Sequence, residues 1–262
     1  MFRLKERRRR RRRSRPFPKE WESVLARSIP RYPLLTPADR DELKGHIRVF
    51  LAEKHFEGAA GLEITDEIRV TIAAQACLLL LHRRTDYYPG LSSIIVYPHE
   101  YVARHIERSP GGFVHEGRQV RLGESSPRGA VVLSWDHVRA GASAVDDCRN
   151  VVFHEFAHQL DAEDGRTDGA PPLPRRSSTI AWARILGREY EALRRRTARG
   201  EATLLDRYAA SNPAEFFAVA TECFFKSPVR LRAEHPELYE ELKAYYRQDP
   251  AAQTQTRPSG TE

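Results

Sequence analysis

Cysteine is scarce in this chain: 262 residues contain only Cys77, Cys148 and Cys223, with no CxxC pair among them. An odd number of widely spaced cysteines argues against a disulfide framework and for buried, reduced thiols. Long apolar runs are missing too. The longest, AAQACLLLL from Ala73 to Leu81, is about half of the roughly 20 residues a membrane-spanning helix needs, so no transmembrane segment is expected. The arginines near the start are followed by SRPFPKEWESVL, which is not an apolar stretch. Neither a secretory nor a twin-arginine signal is therefore formed, and a cytoplasmic location is expected. No internal repeat is found. With 40% apolar and 30% charged residues, the composition is that of a soluble globular protein and excludes a wholly disordered chain.

The net charge of +7 suggests nucleic acid until its position is considered. Residues 1–15, MFRLKERRRRRRRSR, hold ten basic side chains against one Glu, or +9, which leaves the rest of the chain at −2. Seven consecutive arginines, Arg7 to Arg13, repel one another and offer no apolar face, so residues 1–18 read as a solvated, mobile arm. Such an arm binds nucleic acid or anionic lipid weakly at best. The near-neutral remainder has no basic, aromatic-interleaved pattern, so nucleic acid is not expected as a main partner.

Past the arm, TPADRDELKGHIRVFLAEKHF begins with Thr36 as a helix cap and Pro37 in the first turn, and places Leu43, Ile47, Phe50 and Leu51 on one face. TDEIRVTIAAQACLLLLHRR repeats the pattern, with Thr65 as cap, Asp66 and Glu67 in the first turn, and His82, Arg83 and Arg84 in the last. The middle changes character. SSIIVYP (92–98), GFVHEGRQVRL (112–122) and GAVVLSW (129–135) are β-branched and aromatic segments that predict strands, with HEG (115–117) as a hairpin turn. Helical periodicity returns from about Ser143 and is clear in AWARILGREYEALRRR (181–196) and NPAEFFAVATECFF (212–225). The stretches 164–178 and 199–211 read as loops. Helices flanking a small mixed sheet around one core make an α+β fold over residues 19–248, with 249–262 a polar, disordered tail.

The chemistry lies in VVFHEFAHQLDAEDG, residues 151–165. On a helix, positions i and i+4 are about 40° apart around the axis and about 6 Å along it, so His154 and His158 share a face. Two imidazoles so placed can hold one ion at about 2.0–2.1 Å, the zinc–histidine distance. Glu155, about 100° further round the helix, is poorly placed as a ligand but reaches a water on the metal, which suits a general base. Val151, Val152, Phe153, Phe156, Ala157 and Leu160 bury the helix nearly all round, so its polar groups need partners. The alternative is a core helix whose histidines are satisfied without an ion.

Catalytic zinc takes three protein ligands and leaves one position open. Candidates for the third are Asp161, Asp164, Glu215 and Glu222. Asp161, three residues past His158, is too short to reach an ion held from the same helix and suits an acceptor for an imidazole N–H. Glu215 enters an apolar helix beside Phe216 and Phe217 after an Asn212 cap, which is explained either by an ion or by the helix dipole. Glu222, two turns on along the same face, either orients a histidine or is a surface carboxylate. Tyr208, seven residues before Glu215, either packs or donates to a developing oxyanion.

In HEFAHQLD (154–161), NPAEFFAVATECFF (212–225) and the Tyr208–Glu215 spacing, the sequence resembles the zinc metallopeptidases of the Mlc titration factor A type, which are gluzincin-like, and more distantly the protease domain of anthrax lethal factor. The resemblance runs from about Trp21 to about Tyr246, with the arginine arm outside it. It implies a zincin-like fold with Zn2+ held by His154, His158 and Glu215, Glu155 as the catalytic base and Tyr208 assisting. It also implies a cytoplasmic peptidase of aminopeptidase type, acting on small peptides, with an Mlc-like transcriptional repressor of sugar-uptake genes as a further partner. In zincin-type folds an edge strand holds the substrate backbone; GAVVLSW is the expected edge strand, with Trp135 as the cleft floor. The rival reading is an interaction protein that sequesters a repressor, with zinc mainly structural.

Overall fold

A computed structural model describes residues 2–108, 114–121, 123–126, 129–143 and 147–255; for residues 2–3, 101–108, 114–121, 123–126 and 255 only the backbone is described. The arginine run does not behave as a free arm. Residues Phe2–Arg13 form helix α1, and one face of it finds acceptors. Arg9 is 2% exposed and ion-paired to Glu53 at 2.7 Å and Asp86 at 2.5 Å. Arg13 donates to the Tyr87 hydroxyl from Nε and Nη2 at 2.9 and 2.7 Å. Repulsion between the arginines is offset because the inward row meets carboxylates and a phenol, while Arg7, Arg8, Arg10 and Arg11 point outward into water.

Helix α2 covers Lys19–Ser28. Helix α3 (Pro37–Glu53) starts where expected, with Thr36 Oγ1 accepting from the Asp39 N–H at 3.1 Å. Helix α4 (Asp66–Leu78) is capped by Thr65 and buried at every position from Val70 to Leu78. It is shorter than its pattern predicts, so His82, Arg83 and Arg84 do not form its last turn. Leu79, Leu80 and Leu81 are all 0% exposed. The chain turns here instead, with the Leu80 N–H on the Cys77 carbonyl, the Arg83 N–H on the Leu80 carbonyl and His82 left-handed at φ 61.

The sheet has strands β1 (His55–Gly58), β2 (Ser93–Tyr97), β5 (Gly123–Ser126) and β6 (Ala130–Ser134) in the order β1-β2-β6-β5. The β1/β2 and β2/β6 pairs are parallel, with Ile95 opposite Val132; β5 runs antiparallel to β6, with Ser125 opposite Val131. GAVVLSW is thus an interior strand paired on both sides, and the edge beside it is β5. A separate antiparallel pair joins β3 (Tyr101–Arg108) to β4 (Val114–Arg121). HEG is no turn. It lies inside β4, with Ile106 opposite Glu116 and His105 opposite Gly117.

Helices α5 (Trp135–Ser143), α6 (Val151–Asp161), α7 (Arg176–Ala198), α8 (Pro213–Lys226), α9 (Pro228–Glu234), α10 (Pro236–Tyr246) and α11 (Pro250–Gln255) complete the described chain. The tail expected from residue 249 is helical as far as 255, where Arg31 donates to the Pro250 carbonyl at 2.5 Å and Ala251 is 0% exposed. Residues 256–262 lie outside the described residues. Helix α6 passes through the core: Phe156 meets Tyr88 with ring centroids 4.8 Å apart, and Phe153 meets Phe225 of α8 at 5.3 Å. The architecture is α+β and zincin-like, with helices around a small mixed sheet. No helix among the described residues is long and apolar enough to cross a membrane.

Two cysteines contradict the expectation of reduced thiols. Cys148 and Cys223, 75 residues apart in sequence, form a disulfide, and Cys77 is a buried free thiol. Sequence distance misled because the approach to α6 and the last turn of α8 run side by side, with the two Cα atoms 4.3 Å apart.

Candidate metal centre

Asn150 sets the start of α6 by accepting from the Phe153 N–H at 2.9 Å. One turn later His154 and His158 stand on one face, with ring centroids 4.9 Å apart. Asn212 starts α8 in the same way, accepting from the Glu215 N–H at 3.0 Å, with Pro213 in the first turn. The two helices pack together, and the Glu215 carboxylate meets both rings.

The donor set has the spacing of a tetrahedral site. Glu215 Oε2 is 3.0 Å from His154 Nε2 and 3.4 Å from His158 Nε2, and the two nitrogens are 3.3 Å apart. Ligands at about 2.0–2.1 Å from a tetrahedral ion lie about 3.3–3.4 Å from one another. The buried Glu215 Oε2 faces the two imidazole nitrogens, which places it to share a cation with them. These three residues fit a zinc-type ion. A second group, Asp39, Glu42 and His82, also converges, but there the two His82 nitrogens face different carboxylates, at 3.3 and 3.4 Å.

The remaining candidates fall around this core. Glu155 is 5% exposed. Burial raises its carboxyl pKa, against the pull of His154 and His158. Glu222 is no surface group: Oε1 accepts from His154 Nδ1 at 2.8 Å and Oε2 from the Asn150 backbone N–H at 2.5 Å. An acceptor on Nδ1 leaves the Nε2 lone pair of His154 free to face the ion. Burial disfavours the charged form of His154, but Glu215 and Glu222 outweigh it and raise its pKa well above the usual value. Burial raises Glu215 as well, yet the two histidines hold its carboxyl far below the ordinary range.

Asp161 does not reach an imidazole; it ties down a loop instead. Its Oδ2 accepts from the Gly169 N–H at 2.8 Å, and burial pushes its pKa to about 6 against that bond. Gly169 has φ +78, and a Cβ there would come within 2.3 Å of the Pro213 carbonyl oxygen. The loop after α6 is therefore pressed against the first turn of α8, and only glycine allows the approach. Asp164 is exposed and accepts from the Arg166 N–H, away from the centre. Tyr208 is 54% exposed on a 3-10 turn, Arg207–Ala210, with its ring centroid 6.2 Å from that of His154.

Asp206 was missed in the sequence, although Asp-x-Tyr before a helix cap is a readable capping pattern. It accepts from the Tyr208 N–H at 2.9 Å and pairs with Arg149 at 2.9 Å. The Asn150–Glu222 bond had no sequence signal. A cavity of about 430 Å³ lined by Leu51, Lys54, His55, Phe56, Ile64 and Arg69 lies at the β1 edge and shares no residue with the centre.

Comparison with known proteins now bears on this geometry. The family model described as glucose-regulated metallo-peptidase M90 matches residues 3–247, so it includes most of the arginine helix. The chain belongs to this family. Among the M90 relatives, an uncharacterised protein of Synechocystis is 41% identical over 237 residues, covering 90% of this chain and 86% of the relative. Proteins named Mlc titration factor A are 33% identical in Serratia proteamaculans (90% of this chain, 89% of the relative) and 34% in Klebsiella pneumoniae (88% and 86%). M90 membership makes the chain a metallopeptidase-family protein, for which a divalent metal is implied.

Proposed function

We propose that this protein is a zinc-dependent peptidase of aminopeptidase type, acting on small peptides in the cytoplasm. The observation that carries the proposal is the convergence of His154 Nε2, His158 Nε2 and Glu215 Oε2 within 3.0–3.4 Å of one another. Zinc, when bound there, supplies Lewis-acid polarisation and water activation near neutral pH. Glu155 takes a proton from the attacking water and returns it to the leaving amine. Tyr208 donates its hydroxyl to the oxyanion that develops on the scissile carbonyl. Glu222 keeps His154 in the tautomer that points Nε2 at the ion. The outer edge of β5, unpaired among the described residues and on a strand that packs against α6, takes the substrate backbone as an added strand.

The name carried by the Serratia and Klebsiella relatives supports an Mlc-like repressor as a second partner. The competing possibility is that repressor capture is the main role and zinc is structural. Elemental analysis of wild type and Glu215→Ala, followed by hydrolysis of amino-acid amides and short peptides, tests the proposal. One zinc per chain in wild type, lost in the variant together with hydrolysis, is expected. A zinc-loaded wild type that cleaves nothing but binds a repressor would favour the competing role.

A further inference from the structure

Cys148, Arg149 and Asn150 are consecutive residues just ahead of α6, and each reaches a different part of the centre. Cys148 is bonded to Cys223, the neighbour of Glu222 in α8. Arg149 pairs with Asp206, whose other oxygen holds the Tyr208 N–H at 2.9 Å. Asn150 gives its own N–H to Glu222, the carboxylate that orients His154. Asp147 and Arg149 are exposed, Cys148 is half-buried, and the segment lies outside any helix or strand. Asn150 is buried and Cys148 packs against the core, so the loosely held part is Asp147 and Arg149. The tripeptide is held by the disulfide, by the exposed Arg149–Asp206 pair, and by Asn150, whose side chain donates to Gln75 at 2.7 Å and to the Gly141 carbonyl at 3.2 Å.

We infer that the Cys148–Cys223 disulfide is a positioning element of the metal centre, locking Glu222 behind His154, so that reducing it weakens metal binding. The role rests on the metal centre proposed above. While the bond is intact, the Asn150 N–H cannot drift from Glu222, and both oxygens of that carboxylate stay committed. Once it is broken, Asn150 keeps its side-chain bonds and its carbonyl's bond to the His154 N–H at 3.0 Å, but Cys148 is no longer fastened beside Glu222, and the exposed Arg149–Asp206 pair is too weak to hold the preceding residues there. Loss of such an outer carboxylate contact typically costs about 10–100-fold in metal affinity. The reaction is thiol–disulfide exchange: a dithiol reductant gives two electrons and two protons, leaving Cys148 and Cys223 as thiols and itself as a cyclic disulfide. Disulfides in reducing compartments are usually transient and sensing, which suits a bond at this position.

Zinc affinity of the full chain is measured by competition with a chromophoric chelator before and after reduction with a phosphine, which competes little for zinc. Thiol titration should rise from one free cysteine to three, since only Cys77 is free at the start. Affinity is expected to fall by about 10–100-fold on reduction and to recover on reoxidation, with circular dichroism unchanged. The Cys148→Ala/Cys223→Ala variant makes the same comparison without a reductant and should match the reduced protein, whereas Cys77→Ala should match the oxidised one. Equal zinc affinity in wild type and the double variant overturns the inference alone. Absence of zinc binding in every form overturns the metal centre together with it.

Discussion

Glu222 divides its two carboxylate oxygens between the His154 ring, at 2.8 Å, and the Asn150 backbone N–H, at 2.5 Å. One side chain of α8 thus sets both the start of α6 and the tautomer of its first histidine. Glu222→Ala is expected to keep the fold and weaken zinc binding by about 10–100-fold. Chelator competition checks this, and wild-type affinity in the variant would show that His154 is held by other contacts.

Glu155 touches neither Glu215 nor Glu222 through any hydrogen bond described, so its removal should leave the ion's ligands in place. Glu155→Gln is expected to retain full zinc content and lose hydrolysis by about 10²–10⁴-fold, the usual worth of a general base. Metal analysis and turnover on the same sample separate the two effects. Full turnover would remove Glu155 from the mechanism.

Gly169 is where the loop after α6 meets α8. A side chain there faces both a left-handed backbone and the Pro213 carbonyl oxygen, so Gly169→Ala should cost at least about 1–3 kcal/mol. Urea unfolding measures the loss. Because Pro213 opens the turn that carries Glu215, zinc affinity should drop as well; a fully stable variant would mean that the loop yields easily.

Acid should release α1. Burial raises the Glu53 and Asp86 carboxyls, but Arg9 and, at Asp86, Lys5 outweigh it and hold both below the usual carboxylate range. A depressed carboxylate contributes stability that is complete above the unfolded value, about 4, and is lost as pH falls through the folded value. Amide protection in residues 2–13, relative to the intrinsic exchange rate at each pH, should therefore be high at pH 7 and fall below about pH 4. Arg9→Ala should abolish that protection already at neutral pH, and unchanged exchange in this variant would mean that α1 is held by something else.

Much of the centre was legible because its signals are local. His-Glu-x-x-His places two candidate ligands on one face by helical spacing, and Asn212 with Pro213 marks the turn that brings in Glu215. The caps at Thr36 and Thr65 were readable for the same reason. What stayed hidden depends on chain segments meeting in space. The Asn150–Glu222 bond and the Cys148–Cys223 disulfide need α6 and α8 side by side, which no spacing reveals. Arg9 reads as one more charge in a run until Glu53 and Asp86 are placed beneath it. GAVVLSW has the pattern of a strand, but its neighbours, and hence its place inside the sheet, follow from β5, a short Gly-Glu-Ser-Ser stretch with little strand signal of its own.

The anchored α1 makes the molecule electrically lopsided in a fixed direction. On a tether, the surplus cations would average over many orientations; held by Arg9, the row of Arg7, Arg8, Arg10 and Arg11 keeps one bearing relative to α3. An acidic partner or a cation-exchange surface should therefore capture the protein by that end, presenting the rest of the molecule in a single pose.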